Sequence, residues 1–180
     1  MIEFFYPIWK GMCIYMNIFA VSFLGKPNNY GIVDKYVSRS AQPYPEDFKW
    51  LKEQGVTDVF NFRTMIIPEA GENEQKAVEK LGMKYHSIPS YTRHPYETNV
   101  FAFLKGVENV IKNGGKAHIH CKAGADRTGM YAFIYKMLKG IGTLEENKAE
   151  WMSFGHHFKL YPDLINWAED FVKRTAKSSK

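Results

Sequence analysis

Cysteine is nearly missing from this 180-residue chain: Cys13 and Cys121 are the only two, far apart and in different surroundings. That argues against a disulfide-stapled secreted fold, and no CxxC pattern for zinc is present. Neither sign of charge dominates, with 24 Lys and Arg against 19 Asp and Glu, a formal +5 spread along the chain without a basic arm. The excess mildly favours an anionic partner, but nucleic acid is not indicated. Internal repeats are lacking too. What remains is 45% hydrophobic, 24% charged and 16% aromatic, which argues against disorder, collagen-like repeats and a multi-span membrane protein. The length suits about one ordinary domain.

Residues 4–24 differ from the rest: they are strongly apolar, broken by Lys10 and Asn17. The cleaner run, Gly11 to Leu24, falls short of the about 20 residues that usually span a bilayer. Ala20-Val21-Ser22 offers a small-x-small cleavage pattern before Phe23, so a signal-peptide core is one reading. An uncleaved membrane anchor is a second, and a buried helix or a start at Met12 or Met16 are the plainer alternatives. Membrane association or export is the expectation here. Lys26, Lys35 and Arg39 downstream favour a cytoplasmic body. The expected organisation is an apolar segment over residues 1–26 and one domain over 27–180.

Beyond Lys26-Pro27-Asn28-Asn29, short apolar runs alternate with helical patterns. Strands are expected at Tyr36–Ser38, Val56–Phe62, Met83–Ile88 and Lys116–His120. Helices are expected from Pro45 to Gln54, Glu72 to Leu81, Thr98 to Lys112 and Arg127 to Lys139, with Gly55, Gly82, Gly114 and Gly140 as stops. Thr143-Leu144-Glu145-Glu146 reads as a capping box, and Pro162 opens a last helix with Leu164, Ile165, Ala168, Phe171 and Val172 on one face. In the Thr98 helix, Phe101, Leu104, Val107, Glu108 and Ile111 form the expected stripe, widened by Val100, Phe103 and Val110. Such alternation implies an α/β domain whose mainly parallel sheet is covered by helices on both faces.

The informative segment is His120-Cys121-Lys122-Ala123-Gly124-Ala125-Asp126-Arg127-Thr128-Gly129, between an expected strand and an expected helix. A tight loop there turns successive backbone N–H groups inward, and the helix N-terminus adds its positive end, which together bind a tetrahedral anion. Gly124 permits the curl, Ala123 and Ala125 keep the walls small, and Arg127 supplies a planar fork for two phosphate oxygens. Cys121 at the mouth of this cradle would be favoured as the thiolate and aimed at phosphorus. A buried structural cysteine beside a surface arginine is the bland alternative. It does not explain a Cys and an Arg flanking a central Gly in this strand–loop–helix context.

These residues resemble the cysteine-dependent protein tyrosine and dual-specificity phosphatases, whose signature His-Cys-x5-Arg-Ser/Thr is matched in full by His120 to Thr128. Tyr36-Val37-Ser38-Arg39-Ser40-Ala41-Gln42-Pro43, with the later Val59-Phe60-Asn61-Phe62-Arg63, is similar to the compact bacterial and atypical dual-specificity members. The resemblance covers about Asn28 to Val172. It implies that Cys121 forms a phosphocysteine, Arg127 binds the phosphoryl oxygens, and the amides of Lys122, Ala123, Gly124, Ala125, Asp126 and Arg127 cradle them. It further implies that Thr128 assists departure of the Cys121 sulfur and that His120 orders the loop. No cofactor and no metal are implied. His118 and His120, near Cys121, could suggest a metal site, but packing is the preferred reading.

The chain departs from that pattern where most relatives carry a general-acid Asp. Pro89-Ser90-Tyr91-Thr92-Arg93-His94-Pro95-Tyr96-Glu97 holds none. Asp126 is the first candidate for the acid, since Asp-Arg-Thr here resembles loops of myotubularin-like and Sac-type phosphoinositide phosphatases; Glu97 and His94 follow. Cys-Lys-Ala-Gly also resembles the loop of the lipid phosphatase related to tensin. Lys122, with Arg93, His94 and Lys84 on the same rim, would then attract a phosphoinositide or inositol phosphate; with Lys122 turned to solvent, phosphotyrosine on a protein is the substrate, and both classes stay open. A monomer is expected. The alternatives are a catalytically weak phosphate-binding module and a sulfur-transfer or arsenate-reducing enzyme. His156-His157 reads as a loop between helices.

Overall fold

The β-forming runs and the helical patterns between them set the architecture. A computed structural model describes residues 25–64 and 73–178. The readings of residues 4–24, and the start of the expected Glu72 helix, lie outside them. In chain order the elements are β1 (Gly31–Ile32), β2 (Val37–Ser40), α1 (Pro45–Glu53), β3 (Asp58–Asn61), α2 (Glu74–Lys80), β4 (Lys84–Ser87), α3 (Glu97–Lys112), β5 (Ala117–His120), α4 (Asp126–Leu138), α5 (Leu144–Ser153) and α6 (Asp163–Ser178). Among the described residues no helix is long and apolar enough to cross a membrane.

The sheet runs β1-β2-β5-β3-β4, with β1 antiparallel to β2 and every other pairing parallel. Alternation along the strands sorts side chains onto two faces. Val59 joins Phe48, Leu51, Ala77 and Val78 beneath α1 and α2, whereas Phe60, Phe62 and Ile119 join the larger cluster beneath the later helices. Helices therefore cover both faces, as the sequence pattern implies. Because β2, β5 and β3 are parallel, their C-terminal ends meet at one edge of the sheet, where open α/β folds place their ligands.

Local chemistry fixes the helix ends. Pro45 stands in the first turn of α1, and the Tyr44 N–H donates to Asp47 Oδ2 at 2.8 Å. The capping box at α5 forms as expected: Glu146 N–H donates to Thr143 Oγ1 at 3.2 Å, and Thr143 N–H to Glu146 Oε2 at 2.8 Å. Such a cap contributes about 1 kcal/mol.

One expected face is rotated. On α3 the buried stripe is Val100, Phe103, Val107 and Val110, while Phe101 is 49% exposed and Glu108 pairs with Lys112 at the surface. Both stripes satisfy the helical period, so periodicity cannot choose between them. Ring packing does, because Phe103 meets Phe60 at 5.8 Å, Phe62 at 5.6 Å and Tyr131 at 5.1 Å. Helix α4 is buried on nearly every side, from Thr128 to Tyr135. Its Gly129 faces Trp151 of α5 so closely that a Cβ would lie 2.1 Å from the indole. That contact, and Tyr131 stacked 3.8 Å from Phe62, fix the helix that the signature loop opens.

Candidate active site

Residues 121–125 bridge the end of β5 and the start of α4. Gly124 takes φ +71° and lies against the end of β2, where a Cβ would sit 2.6 Å from backbone atoms of Ser40 and Ala41. The loop carbonyls are turned outward and held there. Lys122 O accepts from Gln42 N–H at 3.1 Å, Ala123 O from Asn29 Nδ2 at 2.9 Å, and Gly124 O from Arg39 Nη2 at 2.7 Å. With the carbonyls outside, the amides face in, and from Lys122 to Ala125 none donates to another group among the described residues. The first turn of α4 adds its N-terminal dipole, and the result is a nest for an oxyanion.

Cys121 lies at this nest, 2% exposed. Arg127 is half-buried, and its Nη1 donates to Phe62 O at 3.1 Å, which fixes the guanidinium beside the loop. The buried Thr128 hydroxyl has no hydrogen-bond partner among the described residues. Lys122 and Ala123 are exposed, whereas Gly124 and Ala125 are buried.

Two buried networks support the loop. Arg39 is 1% exposed, stacks 3.8 Å above the Phe154 ring, and lies 3.8 Å from Glu150 Oε1. Burial pushes its guanidinium down to about 10, against the upward pull of Glu150 and Cys121, so it stays charged at neutral pH. On the other side, His120 Nε2 is 2.7 Å from Glu74 Oε1, while Glu74 Oε2 accepts from Asn61 Nδ2 at 2.8 Å and Gln42 Nε2 at 3.1 Å. Burial alone would raise the Glu74 carboxyl, but His120, Gln42 and Arg63 outweigh it and hold it below the usual carboxylate range. His120 Nδ1 is 3.4 Å from Cys121 O. His118 has both nitrogens engaged, Nδ1 with Ser38 Oγ at 2.9 Å and Nε2 with Ser40 Oγ at 2.8 Å. Burial and the neighbouring His120 push it well down, so it packs as a neutral ring.

Asp126 is held by the two histidines of the α5–α6 connection. Its Oδ1 accepts from His156 Nδ1 at 2.8 Å and from His157 N–H at 2.8 Å, and its Oδ2 faces His157 Nδ1 at 2.9 Å. Burial acts to raise this carboxyl, yet the His156 ring and the two groups of His157 outweigh it and bring it below its ordinary value. No spacing signal connects Asp126 to a pair of histidines 30 and 31 residues away.

Of the other residues expected at the rim, Arg93 and His94 lie on the connection between β4 and α3, and Glu97 is the first residue of α3. Arg93 and His94 line a cleft of about 280 Å³ with Tyr161, Pro162 and Trp167, the Arg93 guanidinium 5.5 Å from the Tyr161 ring. Glu97 is paired with Arg174 at 2.6 Å. Lys84 is not on the rim: register aligns it with Asp58 and, through β3, with Ala117, at the N-terminal ends of the parallel strands. It lines a cavity with Gly82 and Gly114 there, at the opposite edge of the sheet from Cys121.

A strand–loop–helix nest holding a cysteine and an arginine defines a cysteine-based phosphatase of the tyrosine and dual-specificity class. Residues 34–140 match the model of the Tc-R-P family, described as "Polymorphic toxin system, DSP-PTPase phosphatase", and the chain belongs to that family. No curated protein matches the chain. Several solved structures share its fold. A DUF442 protein from Shewanella putrefaciens CN-32 is 22% identical, with 86% of this chain and 95% of that one covered at a TM-score of 0.71. The core catalytic domain of the PP-IP phosphatase SIW14 from S. cerevisiae is 21% identical, with 86% and 94% covered and a TM-score of 0.66. P. aeruginosa TpbA, as a cysteine-to-serine variant in complex with phosphotyrosine, is 20% identical, with 80% and 82% covered and a TM-score of 0.61.

Proposed function

We propose that this phosphatase hydrolyses phosphate monoesters through a phosphocysteine on Cys121. The observation that carries the reading is the outward anchoring of the Lys122, Ala123 and Gly124 carbonyls, which leaves the loop amides beside the cysteine available to an anion. The Cys121 thiolate attacks phosphorus and the bond to the leaving oxygen breaks. Arg127 and the amides from Lys122 to Arg127 hold the equatorial oxygens as charge develops on them. Thr128, buried with an unspent hydroxyl, assists the sulfur when water displaces it, and His120 braces the loop from Glu74. The proton for the leaving oxygen comes from the cluster around Asp126, since the loop after β4 carries no aspartate.

Phosphotyrosine on a protein or peptide is the leading substrate, in keeping with the family and with the phosphotyrosine complex of TpbA. The exposed Lys122 beside the nucleophile supports a second class, inositol phosphates or phosphoinositides, and SIW14 is a PP-IP phosphatase. The test is phosphate release from phosphotyrosine peptides, phosphoinositides and inositol polyphosphates by wild type and Cys121→Ser. Turnover on at least one class that falls to background in Cys121→Ser is expected. Wild-type turnover in Cys121→Ser would overturn the mechanism. Phosphate binding without turnover of any class would make the chain a binding module instead.

A further inference from the structure

The proton donor is the part of the mechanism that the fold leaves to this chain's own residues. Glu97, the first residue of α3, pairs with Arg174, so its carboxylate is already engaged. Asp126 heads α4 beside Arg127, but both of its oxygens accept hydrogen bonds from the α5–α6 connection. An aspartate so engaged presents no proton of its own.

Its two imidazole partners are not equivalent. The side chain of His156 is fully buried, 5.0 Å from the Trp151 ring, and its Nε2 has no hydrogen-bond partner among the described residues. Its proton therefore belongs on Nδ1, facing Asp126, and a second on Nε2 would be sealed in without an acceptor. His157 is 51% exposed, with its backbone N–H on one Asp126 oxygen and its ring Nδ1 on the other. Backbone and ring together fix the half-exposed imidazole against the residue that opens α4.

We propose that His157, oriented by Asp126, is the general acid and base of this phosphatase. The proposal rests on the phosphocysteine reading and adds the proton path to it. In the first step the Cys121 sulfur bonds to phosphorus, the phosphorus–oxygen bond to the leaving group breaks, and that oxygen takes the proton from His157 Nε2. In the second, a water attacks the phosphocysteine and its proton passes to Nε2. The phosphorus–sulfur bond then breaks, returning the Cys121 thiolate and releasing inorganic phosphate. Asp126 is a positioning residue throughout: it keeps the proton on Nδ1 and stabilises the imidazolium, which is the division of labour between carboxylate and imidazole in hydrolytic triads. Imidazole suits the task because its ordinary titration lies near neutrality.

The test is leaving-group dependence in the full chain. His157→Asn keeps an N–H able to reach Asp126 but removes the titrating nitrogen. With phenyl phosphate and alkyl phosphates its kcat/KM should fall about 10²- to 10⁴-fold, while 2,4-dinitrophenyl phosphate, whose leaving group needs no proton, should lose less than about 10-fold. Asp126→Asn should show the same selectivity in weaker form. Binding of inorganic phosphate to His157→Asn should stay within a few-fold of wild type, which separates a chemical role from a misfolded loop. An equal loss across all leaving groups, or no loss, overturns the proposal. A selective loss in Asp126→Asn with none in His157→Asn also overturns it and makes Asp126 the acid. Cys121→Ser in the same series should fail with every leaving group, so a failure of the underlying mechanism would be seen separately.

Discussion

Substituting Gly124 by alanine should damage the nest through two separable effects. The first is conformational: at φ +71° an L-residue is held in left-handed space, at about 1–2 kcal/mol. The second is a collision, since the new Cβ would lie 2.6 Å from Ser40 C, Ser40 O and Ala41 N. These are backbone atoms at the end of β2, paired in register with β5, and cannot swing aside like a side chain. Moving them by the several tenths of an ångström required resembles overpacking a core, about 1–3 kcal/mol. The sum is about 2–5 kcal/mol. Gly82 provides the control, because it has the same φ of +71° but nothing within 4 Å of a Cβ, so Gly82→Ala carries the conformational part alone. Urea unfolding followed by tryptophan fluorescence would compare the two variants, with inorganic phosphate binding as the functional reading. Gly124→Ala should unfold more easily than Gly82→Ala by about 1–3 kcal/mol and bind phosphate weakly. Equal destabilisation, or intact phosphate binding in Gly124→Ala, would refute the close approach of loop and strand.

Arg39→Met strips the donor from Gly124 O and should lower kcat/KM about 10- to 100-fold through a misplaced loop. Arg39→Lys restores the charge without the planar stack on Phe154 and should recover only part, so wild-type kinetics in the methionine variant would contradict the bracing role. Glu74 gives a pH signature: its folded value lies below the ordinary one, so its stabilisation is present above the ordinary carboxylate range and is lost as pH falls through the depressed value. Urea midpoints measured from about pH 7 down to about pH 3 should therefore fall less steeply in Glu74→Gln than in wild type, and parallel curves would count against the His120 pairing.

The sequence carried a large part of this architecture because local chemistry speaks loudly there. Proline in the first turn of α1, the Thr143–Glu146 box and glycines after several helices mark the same boundaries in sequence and structure. The signature from His120 to Thr128 likewise named the nest, since its strand, curl and helix are contiguous. What stayed illegible depends on distance or on competition. The partners of Asp126 lie beyond α5, and nothing at positions 156 and 157 signals them. Arg39 stands in a strand where charge usually means exposure, yet it is among the most buried side chains of the chain. On α3 two apolar stripes competed, and only the rings of Phe60, Phe62 and Tyr131 decided between them. The two-residue β1 was too short to register as a pattern at all.

The tethering of the loop carbonyls by Asn29, Arg39 and Gln42 also bears on the order of events in folding. The signature residues are adjacent, but the bonds that orient them span 94 residues from Asn29 to Ala123 and 85 from Arg39 to Gly124. Closing such long loops carries an entropic cost that is repaid only once β2 docks on β5. A partly folded chain that already possesses the Cys121 to Arg127 turn has its carbonyls free to point either way, and so has no oriented amides. Competence thus depends on that long-range strand pairing and not on the motif alone. The same dependence makes the nest among the first features lost when β2 detaches.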